Sequence, residues 1–397
     1  MKSSGESSQS SSADYTWPFW PLVPLYPYGQ RRTLRQEVVK DTIWTFEQVQ
    51  GIFYVVVPIR MTVVKLEAGG LLVYAPIAPT QECVRLVREL EAQHGAVRHI
   101  ILPTLSGLEH KVFVGPFARR FPQAQVWVAP GQWSYPLNLP LTWLGFPPGR
   151  TRPLPPDSCQ VEFGDELDYA LLGPIRLGLG SFGEVACLHR RSRTLVVTDT
   201  VVSVPADPPA IVTLDPYPLL FHARDQVGEM VQDSPATRRK GWQRICLFAF
   251  YFRPAAVQTI PLPEAFKAAH QSSDRSRRAY FGLFPFAWQP NWESSFTHLR
   301  RDGQLQVAPI LQTLILNRAS QTVLNWVDRV ADWNFERIIP CHFAAPIAAT
   351  PQDFRCAFTF LKPGQTSNVA TLADFALLSE LEETLTRRGI TPPRSRI

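Results

Sequence analysis

Four polar residues sit where apolar runs of the sequence end. Glu109 and His110 follow VRHIILP (97–103) after a short turn, Asp199 closes TLVVTD (194–199), and His342 closes RIIPCH (337–342). In layered α/β folds, strand ends hold loops from distant parts of the chain on one rim, where binding residues gather. Two carboxylates and two imidazoles are suitable donors for one Zn²⁺, Fe²⁺ or Mn²⁺ ion. An ion with an open coordination position would acidify a bound water into a hydrolytic nucleophile. The same four residues could instead form an ion-free cluster, the carboxylates capping loops and the histidines hydrogen-bonded among them.

The elements that must position these residues read as an α/β layer. FYVVVPIRMTVVKLEAGGLLVYAP (53–76) is a pair of β-branched runs broken at Ala68, Gly69 and Gly70, which predicts a hairpin. TQECVRLVRELEAQHG (80–95) has Thr80 as a cap, apolar positions at Cys83, Val84, Val87 and Leu90, and a closing Gly95, the signature of an amphipathic helix. A strand at 97–103, the TLSGLEH loop, a short helix from about residue 110 to 120 and a strand at 125–130 follow. After a Pro, Gly and Trp-rich loop (131–160), residues 166–199 read as strands with a hairpin turn at 190–193. Residues 320–346 place Val323, Val327 and Val330 on one helical face and then a strand at 337–340, and 369–389 reads as a final helix.

Around this frame lie less regular stretches. Residues 1–15 are a serine-rich polar tail with no apolar core for a signal peptide. Residues 16–42 form a strap in which Pro18, Pro21, Pro24 and Pro27 recur every third position, the polyproline II period, with aromatics between them. Residues 43–203 are the first half of the core and 319–397 its second half with the C-terminal helix. Between them, 204–318 is an insertion that caps the core with helices, including the dense apolar run ICLFAFYF (245–252) and the aromatic, basic run RRAYFGLFPFAWQPNW (277–292). The longest apolar run is far shorter than the ~20 residues a membrane span needs, so no transmembrane segment is expected. Net charge is +6, but the arginines are scattered among acids rather than gathered in a stripe, which argues against nucleic acid. The six cysteines are isolated singles, which fits a reducing, cytoplasmic setting. The aromatic strap and insertion leave room for a peripheral membrane or protein contact.

With these residues in place, the chain resembles the metallo-β-lactamase-like hydrolase superfamily from about residue 52 to 346, the insertion excepted. That superfamily carries His-x-His-x-Asp-His after a strand, a later histidine, an aspartate at a strand end, and a final histidine. Along TLSGLEH, Leu105 and Gly107 stand where the two leading histidines belong, Glu109 replaces the aspartate, and His110 matches. Gly180 stands at the third-loop histidine, Asp199 at the bridging aspartate, and His342 at the last histidine. The first metal site has therefore lost its three histidines, while Glu109, His110, Asp199 and His342 correspond to the second. EHKVFVGPF, GEVACLHRRSRTLVVTDTVV and IIPCHFAAP look most like a degenerate, uncharacterised branch of that superfamily, a domain of unknown function found mainly in oxygenic phototrophs. The resemblance implies a four-layer αββα sandwich with a helical insertion and an extended N-terminal strap.

Function stays open between two classes: a mononuclear metal-dependent hydrolase, or a non-catalytic protein that binds a protein or membrane partner through strap and insertion. Three neighbours of the motif need placing. Cys341 should face the core if His342 faces the site, because adjacent strand residues point to opposite faces. His189, Arg190 and Arg191 could bind an anion, but read first as a solvated hairpin turn. Lys111 could hold an anionic substrate or put its ammonium into the vacated first site opposite Asp199.

Overall fold

The computed structural model describes residues 12–17, 25–27, 29–105, 108–134, 137–178, 180–362 and 373–395. Pro18, Pro21, Pro24, Gly107 and most of the serine-rich tail lie outside them. The first sheet holds β1 (Leu25–Tyr26), β2 (Leu34–Val39), β3 (Ile43–Ile52), β4 (Val55–Lys65), β5 (Leu71–Tyr74), β6 (Val97–Leu102), β7 (Gln125–Val128) and β8 (Thr151–Pro153). Its order is β1-β3-β4-β5-β6-β7-β8, with β2 also paired to β3. Residues 34–39, expected within the strap, thus add an edge strand to β3 and leave their polar side chains Arg35, Gln36 and Glu37 exposed.

The helices α1 (Gln81–His94) and α2 (Leu108–Arg120) cross between parallel strands β5, β6 and β7. The Thr80 hydroxyl accepts from the Cys83 amide at the start of α1, and Gly95, at φ +94°, ends it. A side chain is impossible at neighbouring Gly70, where a Cβ would lie 2.7 Å from the Ala96 carbonyl oxygen. The second sheet begins with β9 (Leu167–Arg176), β10 (Ser181–His189) and β11 (Thr194–Val196). The stretch expected to form the cap holds α3 (Ala210–Thr213), α4 (Tyr217–Ala223), α5 (Pro235–Tyr251), β12 (Val257–Thr259), α6 (Leu262–Ala269), β13 (Phe286–Trp288) and α7 (Trp292–Arg300). The chain then forms α8 (Pro309–Leu314), α9 (Ser320–Ala331), β14 (Arg337–Ile339), β15 (Ile347–Ala348), α10 (Pro351–Ala357) and α11 (Ala376–Arg387). Strands β14 and β15 complete the second sheet in the order β15-β14-β11-β10-β9.

The period of two along the strands divides the interior into three apolar layers. Met61, Val63, Val73 and Ile100 face α1 and α2, where Val87, Phe113 and Phe117 meet them. Their neighbours Val64, Leu72, Tyr74 and Ile101 face the other way and interdigitate with Tyr169, Val185, Val196 and Ile339 of the second sheet. The outer face of that sheet, with Leu172, Leu195 and Ile338, is covered by Val327, Val330 and Phe354 of α9 and α10. Helix, sheet, sheet, helix is the expected αββα sandwich. The apolar run 245–252 falls mostly in α5 and is buried around its circumference, as dense all-round hydrophobicity requires. Arg244 on the same helix is 1% exposed; its guanidinium lies 4.5 Å and 4.7 Å from the ring centres of Trp288 and Trp292 and pairs with Asp225.

Candidate metal centre

Glu109 and His110 stand in the first turn of α2, which starts at Leu108, about two residues earlier than the sequence suggested, so Glu109 is helical rather than in the preceding loop. A carboxylate there is favoured by the helix dipole. Asp199 follows β11 and His342 follows β14, two parallel neighbours whose ends carry both residues to the same rim. One carboxylate oxygen of Glu109, one of Asp199 and a ring nitrogen of His342 all lie within 4.8 Å of one another. His110 falls outside that close group but lines the same cavity of about 300 Å³.

The hydrogen bonds fix how each ring is turned. His342 Nδ1 lies 2.8 Å from the Pro58 carbonyl oxygen and His110 Nδ1 lies 3.1 Å from that of Pro76. A carbonyl only accepts, so both Nδ1 atoms carry hydrogen and both Nε2 atoms are directed elsewhere. His342 Nε2 meets Glu109 Oε2 at 2.9 Å and Asp199 Oδ1 at 3.2 Å. Two carboxylate oxygens and an imidazole lone pair would repel at those distances, so either a proton or a cation must lie between them. Burial would lower the His342 value, but Glu109 and Asp199 outweigh it and hold the ring protonated well above the ordinary imidazole range. Burial would likewise raise Glu109; His342 foremost, then His110 and Gln50, reverse this and hold its carboxyl at about 2. His110 is the opposite case: burial lowers its value, and its buried Nε2 has no hydrogen-bond partner.

This donor set fits a transition-metal ion. It offers two carboxylates, one imidazole nitrogen whose proton an ion can replace, and a second, neutral nitrogen left orphaned on the cavity wall. Nδ1–H to a backbone carbonyl is also how metal-binding histidines are commonly oriented.

Residues that the sequence did not single out hold the site in shape. Glu184 on β10 is buried, and its carboxylate accepts five hydrogen bonds, from the amides of Thr198, Asp199 and Thr200 and the hydroxyls of Thr198 and Thr200. Burial and the Asp199 charge push its carboxyl up, while those donors pull it back. The loop bearing Asp199 is thus wrapped around Glu184. Arg60 on β4 does the same for His342: anchored to Glu47 at 2.6 Å, it donates to the carbonyls of Pro340 and Phe343. Both were legible as lone charges in apolar strands, a pattern that demands a buried partner.

Residues 105 and 180 bring no donor to the site. Leu105 is 2% exposed in the layer between the sheets, against Gly183, where a Cβ would come within 2.5 Å of Leu105 Cδ1. Gly180 offers no side chain. Lys111 does not face Asp199: its ammonium donates to the carbonyls of Leu105 at 3.0 Å and Trp133 at 2.6 Å, and burial lowers it to about 8. It ties the TLSGLEH segment to the loop after β7 and leaves the cavity clear. Cys341 is buried in the layer between the sheets, although it and His342 lie beyond the end of β14, where strand alternation no longer applies. Arg190 and Arg191 pair with Asp168 and Glu67 at the β10–β11 hairpin, whereas His189, expected in the same solvated turn, is buried as the last residue of β10.

Among the described residues no helix is long and apolar enough to cross a membrane. Among curated proteins none matches the chain. Among solved structures it is similar to DIM-1 metallo-β-lactamase exposed to ceftazidime, at 10% identity over 83% of this chain and 98% of that one, with a TM-score of 0.39. It is also similar to the metal-soaked Flv1 flavodiiron core from Synechocystis sp. PCC6803, at 10% identity over 91% and 71% of the chains and a TM-score of 0.42. A metallo-β-lactamase from Pontibacter korlensis matches at 10% identity over 83% and 99%, with a TM-score of 0.37. The chain belongs to the family described as Domain of unknown function (DUF4336), which it matches over residues 40–360.

Proposed function

We propose that the protein is a mononuclear metal-binding member of the metallo-β-lactamase-like class, with Glu109, Asp199 and His342 as ligands and His110 Nε2 as a fourth donor. The observation that carries this reading is the position of His342 Nε2 between two carboxylate oxygens while its Nδ1 is committed to Pro58. A bound Zn²⁺, Fe²⁺ or Mn²⁺ would supply Lewis acidity and an acidified water, the chemistry of a hydrolase. The chain's own part is to orient both imidazoles through Pro58 and Pro76, to hold Asp199 through Glu184, and to wall the cavity with Val57, Phe250, Ile310 and Phe343. Residues 43–203 and 319–397 would then be the metal-binding core and 204–318 its cap. Elemental analysis after reconstitution with Zn²⁺, Fe²⁺ and Mn²⁺ tests the proposal: about one ion per chain is expected, and His342→Ala should release it. Failure of all three metals to bind would sink it.

A non-catalytic binding role through strap and insertion is supported by a different observation, the second cavity described next, and the two roles are compatible.

A further inference from the structure

A cavity of about 730 Å³ lies where the strap, the tip of the β3–β4 hairpin and the cap meet. It shares no lining residue with the metal cavity: Val56 and Val57, neighbours on β4, face one each. Its volume is within the range of small-molecule sites, and its walls are mostly apolar. Tyr54 is central to the aromatic wall, its ring 5.3 Å from Tyr26 and 5.0 Å from Tyr280.

The backbone around this wall is strained. Phe53, Tyr54, Tyr280 and Phe281 have φ of +50°, +61°, +50° and +59°, a region bulky side chains avoid and glycine occupies freely. Burial does not offset that cost at the cavity-lining Phe281, 68% exposed, or at Phe53, 60% exposed and 5.8 Å from the Tyr280 ring. At Phe53 and Tyr54 the two-residue turn between the paired Ile52 and Val55 accounts for the positive φ; Tyr280 and Phe281 kink the short helical stretch Arg277–Gly282, and strain of this kind collects at binding sites. The charges are also one-sided. Arg32, Arg277 and Arg278 line the cavity with one acid, Asp215, but Arg32 pairs with Glu82 outside it and Arg278 and the Tyr26 hydroxyl engage Asp215, so Arg277 is the cation left over. Arg277 has no acidic partner among the described residues. A chamber whose exposed surface is mostly apolar, with an unpaired guanidinium among its lining residues, is complementary to an amphipathic anion.

We propose that this cavity binds a long-chain carboxylate, with its acyl chain along Tyr54, Val56, Ile211 and Val212 and its headgroup at Arg277. The site does not depend on whether a metal occupies the other cavity. Calorimetric titration of the full chain with oleate below its micellar concentration should give saturable binding of about one per chain, with uncharged oleamide about tenfold weaker or worse for want of the charge-assisted bond. Arg277→Glu, at an exposed position, should weaken oleate by a similar factor and leave oleamide unchanged. Leu214→Trp, which narrows the cavity at a half-exposed position, should weaken both; if circular dichroism shows it misfolded, Arg277→Glu still decides. The proposal is overturned by absence of saturable oleate binding, by equal affinity for oleate and oleamide, or by binding only to phosphatidylglycerol vesicles, which would make this face a membrane contact.

Discussion

Metal entering the candidate centre has to displace a proton from His342, and that exchange can be counted. Nδ1 is occupied by the Pro58 carbonyl, so Nε2 tolerates Glu109 at 2.9 Å and Asp199 at 3.2 Å only while it carries hydrogen. A metal ion takes the lone pair of that nitrogen, so one proton should leave per ion bound. His110 contributes no second proton, since burial keeps it neutral, and Glu109, at about 2, is already ionised. The sign follows from the raised value of His342. Below it, affinity for Zn²⁺ should climb with pH by about tenfold per unit, or ~1.4 kcal/mol, and the climb should level off only above it. Because that value lies well above the ordinary imidazole range, the slope should persist through neutrality. Calorimetric titration between about pH 6 and 8, in buffers of different protonation enthalpy, yields both affinity and proton count. In His342→Ala the slope should vanish and affinity should fall beyond the ~10–100-fold expected for losing an outer hydrogen bond. Tight one-to-one binding with no proton released, or the same slope in His342→Ala, would refute this account of the site.

Glu184→Gln should cost roughly 2 kcal/mol in urea unfolding, because an amide NH₂ would face donors that now converge on a carboxylate, and should weaken metal binding as the Asp199 loop loosens. Gly183→Ala should cost ~1–3 kcal/mol by driving a methyl into Leu105, and the double variant with Leu105→Ala should lose less than the sum of the two, as measured by a double-mutant cycle. His222 is fully buried, and desolvation lowers it to about 3, so the unfolded chain takes up its proton first as pH falls through the ordinary imidazole value. Comparing unfolding at pH 7 and pH 5, the wild type should lose ~2 kcal/mol more than His222→Gln; equal losses would show that His222 titrates normally.

Much of the architecture was readable as pattern. The cap and closing glycine of α1, the hairpin break at Ala68–Gly70 and the apolar circumference of α5 are local consequences of spacing, and each appears at its expected place. The edge strand at 34–39 was less legible, because its central side chains are polar and only pairing with β3 makes it a strand. Lys111 was misjudged for a related reason. Sequence adjacency to His110 suggested a shared direction, but successive helical residues diverge by about 100°, and its ammonium reaches Leu105 and Trp133 instead.

The sequence alone determined which residue types follow the strands: carboxylates at 109 and 199, imidazoles at 110 and 342, and no histidine at 105, 107 or 180. Tertiary structure decided what those residues can do. It turned both Nδ1 atoms onto backbone carbonyls, closed Glu184 beneath Asp199, left His110 Nε2 without a partner, and brought strap and cap together over the β3–β4 tip. Such relations join residues up to 284 positions apart, through the packing of two sheets whose relative placement no local pattern specifies.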